Sequence, residues 1–525
     1  MERNYLSFER NTIRKKWRGR LPIALIFPNT YPLGMANLGF LSLYESLNSY
    51  KEIVCERFFF ESSPEARSLE SKTPLEEFPI ILFSVPFEGD FVNILSILLK
   101  GKIPLNPIER AQTVIGGGVA LWSNPEPLSL FFDGFLLGEW EAIEEKAIPL
   151  FLEFAVNKKK LLEALNFLDF FYSPFHFGKR RVKLAKADPL KKPLLSKITS
   201  SKAEFGGSYL MEVSRGCGRG CRFCLAGFIY RPPRGYSTEV LLERAEEIPL
   251  GSKVGLIGLE FVDREEIWKL GEFLLQRDVT LTFSSLRVDA LREDFLRLLR
   301  KTKSIALAPE VTTTRLKNLI NKRVEEGEII RTLESLRESG ISKVKFYFIF
   351  GLPEETEEDL RHLATFIKSL LNRSLPYQFS FSFAPFVPKP HTPLQWAPFE
   401  GEKTLEGKIS LLRRELKGIK NVKIDSPWEA LKQALFARGD ASLGTFILKL
   451  AHGEALKRVL GEIPQVERIL RPPVEKDFAF PWDFIDTGVS KDYLFREWLR
   501  ALEGKTTPPC NRQICKACGA CKISY

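Results

Sequence analysis

Short apolar runs alternate with amphipathic stretches through the first 165 residues. The runs LPIALIF (21–27), PIILFSV (79–85), TVIGG (113–117) and GFLLG (134–138) predict buried parallel strands, and 38–49 and 91–99 between them carry the helical period. Alternating β and α of this kind predicts an open, doubly wound Rossmann-like sheet over residues 1–165. Such sheets bind ligands in the loops at the strand C-terminal ends, here 28–39, 86–90, 116–127 and 138–141. The pattern dissolves over 166–205, which reads as a basic connector holding a hairpin. It returns with strand-like runs at 209–214, 253–261, 280–286, 304–311, 343–350 and 377–386, separated by amphipathic stretches at 238–248, 264–277, 291–301, 313–320 with 325–339, and 357–371. Six strands alternating with helices predict a (β/α)6 partial barrel over 206–400, with catalytic groups at the strand C-terminal ends. Residues 401–525 read as mainly helical (407–417, 428–437, 442–460, 490–503).

Composition sharpens this picture in three places. The chain is 44% hydrophobic and 27% charged, enough apolar residues for several cores and too many for a disordered protein. Its net charge is +11, but the 24 residues 179–202 hold nine Lys or Arg and one acid, Asp188. The excess is therefore an address, and two readings stand there: a solvated linker, or a contact for an anionic partner such as RNA. No run approaches 18 apolar residues, so no membrane span is expected. KKWRGR before LPIALIF imitates a secretory leader, yet the apolar run ends at Pro28 without a small-residue cleavage site.

Seven of the eight cysteines fall in two clusters, and only Cys55 stands apart. Clustering in a long chain points to metal binding in a reducing compartment, the cytoplasm, and away from a disulfide framework. SRGCGRGCRFC places Cys217, Cys221 and Cys224 just past the first barrel strand. Three thiolates without a fourth ligand nearby suit a 4Fe–4S cluster with one open iron better than structural zinc. At the C-terminus, CNRQICKACGAC sets out Cys510, Cys515, Cys518 and Cys521. Its contiguous spacing favours a second iron–sulfur cluster, with zinc as the alternative.

On the first motif the sequence resembles the radical S-adenosylmethionine (SAM) superfamily. That resemblance implies that the open iron chelates SAM and that an electron from the cluster cleaves it to a 5′-deoxyadenosyl radical. It also implies a flavodoxin- or ferredoxin-type reductant. Phe223 matches the aromatic position near the adenine, and Gly351 and Pro353 in GLPEET the adenine-contacting loop. Glu310 in APEV, at a strand end, could bind ribose hydroxyls or an ammonium, or form a buried ion pair. Arg287 in SLRVD, likewise at a strand end, could pair with the methionine carboxylate or with Glu310. The family's Gly-Gly-Glu after the second strand is replaced by GLEFVD (258–263), which puts an amine-binding role for Glu260 in doubt.

NTYPLGMANLG, GGGVALWSNPEP, CRFCLAGFIYRPPR, APEVTTTRLKNLINK, FVPKPHTPLQW and PWDFIDTGVSK further resemble the subgroup with an N-terminal cobalamin-binding-type domain. The resemblance implies cobalamin contacts at Asn29, Tyr31, Gly34 and Met35 and at Gly116, Gly117 and Gly118. It implies methylation, or a related modification, of an unactivated carbon. The Asp-x-His-x-x-Gly signature that ligates cobalt is absent, so either cobalamin binds without it or the domain has lost the cofactor and is a scaffold. Two other functions remain as expectations: a sulfur-inserting enzyme of the methylthiotransferase kind acting on RNA or protein, and a non-enzymatic iron–sulfur or nucleic-acid-binding protein.

Overall fold

The computed structural model describes residues 4–61, 63–259, 264–283, 293–463, 465–510, 515 and 517–521. The N-terminal runs form the expected sheet: β1 (Leu21–Phe27), β2 (Ile53–Phe59), β3 (Ile80–Ser84), β4 (Thr113–Gly117), β5 (Gly134–Leu136) and β6 (Phe171–Tyr172). Their order is β2-β1-β3-β4-β5-β6, parallel except for the last pair. The chain reverses direction across the sheet between β1 and β3, the switch point where doubly wound sheets bind ligands. Here Asn29, after β1, donates its side-chain amide to Asp90, after β3, at 2.7 Å. Burial raises that carboxyl to a pKa of about 6, against the hydrogen bond from Asn29.

β2 escapes the hydrophobic pattern because Glu56 and Arg57 interrupt IVCERFF. The interior accepts Arg57, whose side chain is wholly buried, because it is paired twice, with Glu9 at 2.8 Å and Glu70 at 2.7 Å. Burying an arginine is tolerable only with such partners.

The barrel strands are β7 (Tyr209–Glu212), β8 (Lys253–Ile257), β9 (Thr280–Phe283), β10 (Ser304–Glu310), β11 (Lys343–Phe350) and β12 (Gln378–Pro385). β7-β8-β9 and β10-β11-β12 are each parallel and in sequence order. Val422–Ile424 adds a further parallel strand beside β12. In β11 buried and less buried residues alternate, and in-register pairing stacks Phe346 on Phe381 and Phe348 on Phe383, with ring centroids 5.8 and 5.4 Å apart. The helix Glu357–Leu371 starts on a reciprocal cap between Thr356 and Asp359, which satisfies two of its orphan amides. The single helix expected at 442–460 is two, Gly444–Ala451 and Leu456–Leu460, because the chain turns at Gly453 with φ +88°.

The connector forms no hairpin and is no free linker. Val182–Lys183 pairs with Ile485–Asp486, Leu195–Ser196 runs antiparallel to β7, and Thr199–Ser200 pairs with Glu9–Arg10. Most of its cations meet the chain itself. Lys179 pairs with Glu126, Arg181 with Asp486, and Lys192 and Lys197 with Glu247. Arg180 donates to the carbonyls of Leu168 and Phe171, and Lys186 to those of Arg231 and Thr487. Among the described residues no helix is long and apolar enough to cross a membrane.

The glycine run after β4 is a packing device. Gly118 has φ +100°, and a Cβ there would lie 2.5 Å from the carbonyl oxygen of Val85. Gly118→Ala should therefore cost about 1–3 kcal/mol, read as a lowered thermal midpoint with the spectroscopic signature of the fold retained. An unchanged midpoint would mean that the β3–β4 loops separate easily.

Candidate active site

Past β7 the chain makes a short antiparallel bridge, Ser214–Arg215 with Arg234–Gly235, and the first cysteine loop lies between these strands. Cys221 is buried and Cys217 and Cys224 are half-buried, none of them in a disulfide. The loop folds on itself: the Arg219 amide lies 3.5 Å from the Cys217 Sγ, and the Cys224 amide donates to the Cys221 carbonyl at 3.1 Å. Burial, reinforced by Cys221, pushes the Cys224 thiol up to about 11. Among the described residues no three His, Cys, Asp or Glu side chains are arranged to hold a metal ion. The donor chemistry nonetheless fits a cluster: three thiols in one loop, none used in a disulfide.

Glu310 closes β10 in a left-handed conformation, φ +69°. Its Oε1 accepts a 2.7 Å bond from the Lys322 ammonium, and both side chains are nearly buried. The pair stands close enough to Cys224 to act on its thiol. The buried ion pair expected as one reading of Glu310 is thus present, and Lys322 is its partner. Arg287 and Glu260 lie outside the described residues. Phe223 is half-buried against the barrel core.

Gly351, φ +80°, ends β11, and its amide donates to the Glu355 Oε2 at 2.6 Å. Lys408 bridges Glu355 at 2.8 Å and Glu400 at 2.6 Å. Burial raises Glu355 to about 7, against the pull of Lys408. These charges fix the loop that also carries Pro353, and sequence reading missed Glu355, Lys408 and Glu400 as its supports.

At the junction of the two domains, Glu139 and Glu141 from the loop after β5 meet Arg215. Its guanidinium contacts Glu139 at 3.0 Å, Glu141 at 2.6 Å and Glu212 at 2.8 Å. Arg234 adds a 2.6 Å bond to Glu139, and the Tyr236 hydroxyl another to Glu212. Trp122, just past the glycine run, meets Tyr230 edge to face at 5.8 Å. Asn124 donates to the carbonyls of Ala437 and Gly439, and Lys389 pairs with Glu88. The strand-end loops of the N-terminal domain therefore face the barrel and C-terminal region.

The residues expected to touch cobalamin have partners within the chain. The Tyr31 hydroxyl donates to Glu9 at 2.8 Å, and the Met35 sulfur lies 3.1 Å from Arg57. Gly34 stands against Phe59, Gly116 against Leu121, and Gly117 closest to the Leu136 carbonyl. Neither His176, which shares a hydrogen bond with Asp133, nor His391, whose Nε2 donates to the Ser123 carbonyl, is free as a cobalt ligand through that nitrogen. Two buried donors at the junction, Trp122 Nε1 and Ser214 Oγ, have no partner. Unpaired buried donors of this kind suit the polar periphery of a large bound group, and in that respect the junction fits a corrin without a protein ligand to cobalt. A cavity of about 700 Å³ lies elsewhere, lined by Arg57, Phe59, Arg67 and Lys100.

Comparison with known proteins agrees with this architecture. Residues 211–367 match the family described as the radical SAM superfamily, and 39–174 match radical SAM proteins, N-terminal. The uncharacterized protein MJ0966 of Methanocaldococcus jannaschii is 30% identical over 436 residues, which cover 81% of this chain and 90% of that one. The radical SAM methyltransferase TsrM from Kitasatospora setae, solved with tryptophan substrate and a SAM analogue, aligns with TM-score 0.51 at 10% identity, over 84% of this chain and 99% of its own. The cobalamin-dependent SAM radical enzyme OxsB, solved with aqua-cobalamin and SAM, aligns with TM-score 0.50 at 14% identity, over 92% and 79%. The chain belongs to the radical SAM superfamily, in the subgroup that carries this N-terminal domain. That family implies a 4Fe–4S cluster, SAM and a reductant.

Proposed function

We propose that this radical SAM enzyme is cobalamin-dependent and methylates, or otherwise modifies, an unactivated carbon. The observation that carries the reading is the domain junction, where the strand-end loops of the N-terminal sheet face the barrel mouth and leave Trp122 Nε1 and Ser214 Oγ buried without partners. The fold shared with OxsB and TsrM supports it. Cys217, Cys221 and Cys224 would hold the cluster, which supplies the electron that cleaves SAM. Lys322 and Glu310 would flank that cluster, and the Gly351–Pro353 loop, held by Glu355, would seat the adenine. Trp122 and Ser214 would hold the corrin, which supplies a methyl carrier.

The protein purified with hydroxocobalamin should keep a corrin absorption band through gel filtration. Trp122→Phe should weaken its binding roughly tenfold, the worth of one hydrogen bond to a buried donor. A wild-type protein that emerges without corrin would overturn the cobalamin assignment. Sulfur insertion predicts instead a methylthio product formed without cobalamin, which product mass separates from a methyl group. The nucleic-acid reading of the connector has less support, because most of its cations already bind this chain.

A further inference from the structure

The C-terminal cysteines do not trail away from the catalytic loop; the chain that carries them is bonded to it. The Cys510 amide donates to the carbonyl of Gly218, next to Cys217, at 2.6 Å. Three residues earlier, Thr507 exchanges hydrogen bonds with Asn321 at 2.9 and 3.1 Å, and the same Asn321 amide reaches the Gly220 carbonyl. Arg222, between the second and third catalytic cysteines, donates to the Lys505 carbonyl at 2.7 Å. Two side chains and one backbone amide thus join 505–510 to the loop.

From the other side, Ser490 donates its amide to the Cys518 carbonyl at 2.9 Å, and Cys518 is only 4% exposed. Gly488 and Gly519 bring their two segments close enough that a Cβ on Gly519 would touch the Gly488 carbonyl at 3.4 Å. Arg231 sits between the clusters. It follows the helical turn Ala226–Ile229 after Cys224, lies over the rings of Phe228 and Tyr493, and faces both Cys518 and Cys510. None of Cys510, Cys515, Cys518 and Cys521 is used in a disulfide. A C-x2-C-x2-C core with a fourth thiol five residues before it is the donor set of an iron–sulfur centre, whereas zinc ribbons separate their cysteine pairs by longer loops.

We propose that Cys510, Cys515, Cys518 and Cys521 bind a second iron–sulfur centre, and that this centre, docked on Gly218, passes the reducing electron to the catalytic one. The proposal rests on the assignment of Cys217, Cys221 and Cys224 to the first cluster. One electron enters the tail centre from an external one-electron donor of the flavodoxin type and leaves it for the catalytic centre. The tail centre returns to its oxidised form, with no bond made or broken there.

The test uses the full chain, reconstituted anaerobically with iron and sulfide in three forms: wild type, Cys217→Ala/Cys221→Ala/Cys224→Ala, and Cys515→Ser/Cys518→Ser. The catalytic triple variant should keep about half of the wild-type iron and give an electron paramagnetic resonance signal on reduction, although it cleaves no SAM. Zinc in place of iron in that variant, or no metal, overturns the proposal and leaves the first assignment standing. The tail variant should keep the other half, still cleave SAM with dithionite, and fall to background with reduced flavodoxin. Equal rates with flavodoxin in tail variant and wild type overturn the relay. A single Cys515→Ser, at a half-buried position, repeats the measurement with least disturbance to packing. Failure of wild type to cleave SAM with any reductant overturns the first-cluster assignment on its own, since the triple variant's iron content is read independently.

Discussion

A Cys221→Ala chain is expected to form no 5′-deoxyadenosine, while a Cys55→Ala chain forms it at the wild-type rate. Both thiols are buried and outside any disulfide, so the pair separates chemistry from packing. Cys221 lies in the loop with Cys217 and Cys224, where removing one of three thiolates leaves two, too few to hold a cluster with one open iron. Cys55 lies in β2, across the other domain, at 2% exposure. Its loss removes one small buried side chain and should cost roughly 1–2 kcal/mol of stability. The measurement is chromatographic detection of 5′-deoxyadenosine after anaerobic reduction, alongside thermal melts of both variants. Equal loss in both would point to folding and not to ligation.

Arg222→Met should be the most destabilising single change near the site, by about 3–5 kcal/mol. The guanidinium is wholly buried and contacts Glu497 at 3.1 Å and the carbonyls of Asn318, Leu319 and Lys505. Methionine fills much of the volume but leaves the Glu497 carboxylate in the interior with Thr507 and Arg500 as its remaining partners. The urea midpoint should fall with little change in slope. Adding Glu497→Met should restore part of the loss, because the uncompensated charge goes with it. If the double variant is as unstable as the sum of the singles, the pair is not the source of the cost.

Much of the architecture was readable because its strands are apolar and its helices periodic. β1, β4 and β11 occupy the expected residues, and the helix Glu357–Leu371 both begins and ends as its pattern predicts. β2 was missed because Arg57 breaks its apolar run, and its partners Glu9 and Glu70 are remote or unpatterned in sequence. The connector misled for the opposite reason. A dense run of lysine and arginine suggests solvent or an anionic ligand, whereas their partners Glu126, Glu247 and Asp486 are dispersed along the chain. At the candidate site, cysteine spacing marks the loop that carries Cys217, Cys221 and Cys224. Spacing cannot show Asn321 or Arg222 reaching the tail, since those bonds cross 186 and 283 residues. The one signal available was the placement of Arg222 inside CRFC, where an arginine that cannot reach solvent must find acceptors.

The pairing of Val182–Lys183 with Ile485–Asp486 also sets an order of events during synthesis. The second strand leaves the ribosome about three hundred residues after the first, some 15–60 s later at usual elongation rates. Until then the connector lacks one edge partner, and the loop after β4 lacks the Ala437 and Gly439 carbonyls for Asn124. The N-terminal sheet can form early from its own local connections, but the face it turns to the barrel is completed last. A nascent chain stalled before residue 437 would therefore expose that face to chaperones or to premature cofactor capture, and the cysteines at 510–521 would arrive later still.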